Sequence, residues 1–151
     1  MRLTEYPTER IAAQPVGGWT GQAYRAVVGA IRVELAREDL TQPAWWVLGQ
    51  VSGAPGGWDR ERLTALLRPY NDLGLELEAV YDELIARGLL AEEEGTFTLT
   101  PAGEETRQRA WARLRPLLAT ATEGVTTEEY VTTINVLRRI VANLGGDGDL
   151  P

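Results

Sequence analysis

The 151-residue chain has no cysteine and no histidine, and all 15 of its basic residues are arginine. Without thiols it can build no disulfide framework, thiolate nucleophile or zinc cluster, and without imidazole it has no histidine general base. No cofactor and no metal is expected. Long apolar runs are also missing: no stretch approaches the roughly 20 residues a membrane span needs, and no basic segment followed by an apolar run opens the chain. The expectation is a cytoplasmic protein with no membrane partner. A net charge of −7 argues against general attraction to nucleic acid or anionic lipid. With 44% hydrophobic residues, the length suits one domain with a real core.

What the chain does have is acid in one place. Between Asn71 and Leu99 stand Asp72, Glu76, Glu78, Asp82, Glu83, Glu92, Glu93 and Glu94, eight of the 22 acidic residues, against a single arginine, Arg87. The remainder balances at fourteen acids and fourteen arginines, so the whole net charge resides in this stretch.

Local patterning predicts six helices and a two-stranded hairpin, with one helical turn inside an N-terminal arm. The arm covers residues 1–18, with two prolines, a glycine pair and a turn of helix over residues 8–14. Ala23, Val27, Ile31 and Leu35 recur every fourth residue in a first helix over 19–38. Thr41 is placed to cap a second helix that accepts Pro43 in its first turn, and Asp59 to cap a third over 60–67. A turn with Pro69, Asn71, Asp72 and Gly74 leads into an acidic helix with Leu77, Leu84 and Ile85 on its inner side, ended by Gly88. Phe97 and Leu99 alternate with threonines as a half-buried strand, and Gly95 supplies the hairpin turn. Thr100 and Pro101 open a long helix in which Pro116 should make a kink. Thr126 and Glu129 form a capping box for the last helix, whose stripe is Tyr130, Ile134, Leu137, Val141 and Leu144. Residues 145–151 are expected to form a flexible tail.

In this order and spacing, the segments LTQPAWWVL (40–48), DELIARGLL (82–90), LTPAG (99–103) and TTEEYVTTINVLRRI (126–140) resemble the MarR family of winged-helix transcriptional regulators. The resemblance covers residues 19–144. It implies a mainly α, α+β winged-helix fold and a homodimer joined through the first and last helices, 19–38 and 127–144, with Val27, Ile31, Ile134, Leu137 and Val141 in the interface. It also implies a recognition helix and wing offered to DNA, and a pocket for a small ligand.

By the same resemblance, the DNA-facing positions are Leu75, Glu76, Glu78 and Ala79 at the helix, Glu92, Glu93 and Glu94 at the wing, and Arg60, Arg62 and Arg68 beside them. Family members usually carry Ser, Thr and Arg on the helix and an Asp-Arg pair on the wing. A carboxylate accepts a hydrogen bond from cytosine N4 but cannot neutralise phosphate. Weak duplex contact is therefore expected. Two other uses of the face stay open: docking a basic protein partner, or imitating DNA.

Aromatic residues are the second unusual feature, with five tryptophans in the chain. Trp45 reads as core, whereas Trp19, Tyr24, Trp46 and Trp111 are candidates to line a pocket for a small aromatic ligand. Paired carboxylates such as Glu76 with Glu83 do not amount to an acid-base site, because catalytic carboxylates need burial or partners to move their pKa. No enzyme is expected.

Overall fold

The computed structural model describes residues 3–149. Seven helices and one hairpin run in the order α1 (Thr8–Ala12), α2 (Val16–Ala36), α3 (Gln42–Gly53), α4 (Arg60–Leu67), α5 (Leu77–Ala86), β1 (Leu90–Glu93), β2 (Thr96–Leu99), α6 (Pro101–Ala121) and α7 (Thr127–Asn143). A single 3-10 turn, Arg68–Tyr70, follows α4. Two compact units result, divided between Leu117 and Leu118. Among the described residues, no helix is long and apolar enough to cross a membrane.

The first unit holds the core. Leu35 from α2, Val47, Leu48 and Val51 from α3, Leu63 and Leu67 from α4, Leu77, Tyr81 and Leu84 from α5, Phe97 from β2, and Ala110 and Leu114 from α6 are all buried in one cluster. Its helices start where side chains can satisfy free backbone N–H groups. The Thr41 hydroxyl accepts from the Ala44 amide at 3.2 Å and the Asp59 carboxylate from the Arg62 amide at 2.8 Å. Pro43 sits in the first turn of α3.

The wing is an antiparallel pair in which Leu90 faces Leu99 and Glu93 faces Thr96. Its two-residue loop, Glu94-Gly95, has φ of 50° and 77°. Positive φ at both loop residues matches the twist of a tight hairpin. The outer edge of β2 is covered as well: the Phe97 amide donates to the Trp58 carbonyl at 2.8 Å and the Gly56 amide to the Phe97 carbonyl at 3.2 Å. The Thr100 hydroxyl then accepts from the Gly103 amide at 3.0 Å and donates to the Gly88 carbonyl at 2.6 Å, tying the start of α6 to the end of α5. Pro116 lies inside α6, which continues to Ala121.

The second unit is built on α7, opened by the reciprocal Thr126–Glu129 capping box. Hydrogen bonds from the Thr126 backbone and side chain hold the Glu129 carboxyl below its usual pKa. No residue of α7 is buried. In the segment expected to form a flexible tail, residues 145–149 turn back on α7. The Gly146 amide reaches the Val141 carbonyl at 3.0 Å, and Arg138 donates to the Gly148 carbonyl at 2.8 Å and pairs with Asp149. The last two residues of the tail lie outside the described residues.

Candidate nucleic-acid interface

The acidic face is assembled from α5 and the wing, and Arg60 at the start of α4 joins them. Its guanidinium reaches Glu78 at 2.7 Å and Asp82 at 2.9 Å, both on α5, and Glu92 of β1 at 2.8 Å. The same group lies 5.7 Å from the Tyr81 ring centre and 5.8 Å from that of Phe97. Those carboxylates, Glu92 first, stabilise the charged form and raise the Arg60 pKa further. A guanidinium forked over three acceptors is satisfied on its own chain. To meet a phosphate it would have to leave them.

The other arginines near the face are placed differently. Arg62 donates to the Gly57 carbonyl at 2.8 Å and lies 5.5 Å from the Trp58 ring centre. Arg87, at the end of α5, donates to the Asp39 carbonyl at 2.7 Å and to Glu83 at 3.3 Å. Arg68 makes no ion pair among the described residues. It lines a groove of about 450 Å³ together with Thr64, Asn71, Gly74, Leu75, Glu76, Leu77 and Glu78. Of the positions expected to face DNA, Leu75 and Glu76 precede α5, whose first helical residue is Leu77. Glu76, Ala79, Glu93 and Glu94 are exposed. Among the described residues, Glu76, Glu93 and Glu94 have no ion-pair partner, so their charge is turned outward uncompensated.

The start of α5 has no side-chain cap of its own: Glu76 occupies the cap position without a side-chain hydrogen bond. What holds the entry is the preceding turn. The Asn71 amide group donates to the Leu75 carbonyl at 2.6 Å, and its oxygen accepts from the Leu75 amide at 3.2 Å. The neighbouring Asp72 carboxylate accepts from both Arg32, at 2.7 and 2.9 Å, and the Tyr24 hydroxyl. These two donors, Tyr24 first, lower the Asp72 pKa, and the same bond raises that of Tyr24. Arg32 further donates to Gln42 at 3.0 Å.

The four residues expected to line an aromatic pocket each have their own contact. Trp111 stacks on Trp45, with ring centres 6.4 Å apart and planes 9° from parallel. Trp46 packs partly buried against the core, Tyr24 is engaged by Asp72, and Trp19 donates to Gln14 at the exposed start of α2. Trp58, at the base of α4, anchors its loop by donating to the Gln50 carbonyl at 3.1 Å. Of the positions expected in a dimer interface, Val27, Ile134 and Val141 are exposed by 39%, 39% and 42%. Leu137 is half-buried, and Ile31 packs partly on the core of its own unit.

No family model matches the chain, and no curated protein matches it. Solved structures do. A MarR family transcriptional regulator from Silicibacter pomeroyi superposes with a TM-score of 0.68 at 20% identity, over 91% of this chain and 99% of that one. CouR from Rhodococcus jostii, bound to p-coumaroyl-CoA, gives 0.67 at 21% identity over 85% and 92%. A Mycobacterium tuberculosis MarR family protein in complex with DNA gives 0.64 at 21% identity over 84% and 98%. Likeness over most of both chains, together with the helix order and the two-stranded wing, establishes that this chain has the MarR-like winged-helix fold.

Proposed function

We propose that the chain is a homodimeric, MarR-like transcriptional regulator of the cytoplasm whose α5 and wing face its target without gripping duplex DNA through phosphate. The observation that carries this reading is the engagement of Arg60 by Glu78, Asp82 and Glu92. A protein making about 6 to 10 phosphate contacts takes most of its non-specific affinity from counterion release. Here the arginine that joins the helix to the wing is already neutralised. Glu76, Glu93 and Glu94 meanwhile present charge of the same sign as DNA, a juxtaposition that typically costs several kcal/mol.

The homodimer is supported by the apolar residues that α2 and α7 leave exposed, Val27 on one and Ile134 and Val141 on the other. A similar structure in complex with salicylic acid supports a small aromatic effector for the dimer. The outward acids favour a second reading of the face, a basic protein partner.

Titration of labelled random and promoter duplexes at low salt tests the proposal. The expected result is weak binding with a shallow dependence of log affinity on log salt. Nanomolar binding to a promoter duplex at physiological salt would sink it, and Arg62, Arg68 or the N-terminal arm would then carry the phosphates.

A further inference from the structure

Helices α3, α4, α6 and α7 each begin with a side-chain cap, from Thr41, Asp59, Thr100 and Thr126. Helix α5 does not. A helix of ten residues without a cap holds its first turn poorly, since a cap is worth about 1 kcal/mol. Its entry therefore depends on the turn at residues 71–76. That turn is in turn fastened to α2 by one carboxylate. Tyr24 and Arg32 stand about two turns apart on α2, and both donate to Asp72. Through its remaining bond, Arg32 also holds Gln42 at the first position of α3.

We propose that Asp72 is the positioning residue of α5: its carboxylate, held by Tyr24 and Arg32, takes the place of a cap and makes the start of α5 follow α2. The inference rests on the reading of α5 as the target-facing helix for its functional meaning. Displacement of α2, by an effector or by a second copy seated on its exposed residues, is passed to Asp72, through Asn71 to Leu75, and so to the first turn of α5. The wing is fastened to α5 separately, through Arg60, which joins Glu92 to Glu78 in the first turn and to Asp82 and makes no ion pair with the turn at 71–76 among the described residues.

Amide hydrogen exchange on the full chain tests the tether with no target present, so its failure is distinguishable from failure of the target-facing reading. The reporters are the amides of Gly74, Leu75 and Val80, which bond to Asn71, to the Asn71 side chain and to Glu76. Asp72→Ala should speed exchange at these three about tenfold. Tyr24→Phe, which removes one hydroxyl and keeps the ring, should speed it about threefold. The amides of Phe97 in the wing and Tyr130 in α7 should keep their wild-type rates in both variants. An unchanged rate at the three reporters in Asp72→Ala, or a single common acceleration at all five amides, would overturn the proposal.

Discussion

Gly103 shows how a single absent atom can decide where an element sits. A Cβ built at this position would lie 1.9 Å from the Leu89 carbonyl oxygen and 2.9 Å from its carbon. Both are backbone atoms just before β1, so neither can rotate aside. The glycine lets α6 start directly against the chain leaving α5, where the Thr100 amide bonds the same Leu89 carbonyl at 3.3 Å. Gly103→Ala should therefore destabilise the first unit by about 3 kcal/mol or more, in the range of overpacking plus a lost cap. Urea denaturation measures this, and a change within about 0.5 kcal/mol, the scale of a neutral surface substitution, would show that the contact can relax. The LTPAG segment is conspicuous in the sequence, but the reason for its glycine is not, because Leu89 becomes its neighbour only after the hairpin has folded.

At the scale of elements, the helix and wing act as one charged body, and the Arg60 contacts determine which acids can be altered to test it. Glu78 and Glu92 hold that arginine, so replacing either by Arg would set two like charges side by side. Glu76 and Glu93 have no ion-pair partner among the described residues. The double variant Glu76→Arg, Glu93→Arg should gain non-specific duplex affinity with a steep salt dependence, while its stability stays within about 0.5 kcal/mol of wild type. Anisotropy titration at two salt concentrations is sufficient, and unchanged binding would show that surface charge is not what limits the contact. The bounds of α4 and the caps at Thr41, Asp59 and Thr126 follow from local chemistry and were legible in the sequence. The start of α5 was not: the apolar spacing of LELE suits a helix from Leu75, but the Asn71 side chain closes a competing turn around that residue and Gly74 adopts φ 61°. The sequence places Arg60 beside the DNA-facing positions but not its engagement there, since of its three partners Glu92 is 32 residues away. No local pattern signals such a contact.

For the whole molecule, the decisive feature is apolar surface that one chain leaves uncovered. Every residue of α7 is at least partly exposed, including Tyr130 at 51% and Val131 at 49%, although the helix is cleanly amphipathic. Placing Arg at Ile134 should disrupt a dimer by burying an unpaired charge, turning a dimeric mass in light scattering into a monomeric one. A wild-type monomer at micromolar concentration would remove the homodimer from the proposal. The stacked pair Trp45 and Trp111 joins α3 to α6 within the first unit. Two indoles held nearly parallel at 6.4 Å share excitation, so light absorbed by the half-buried ring can be emitted from the more exposed one. The protein thus contains its own optical gauge, in which separation of α3 from α6 changes emission without any dye having been attached.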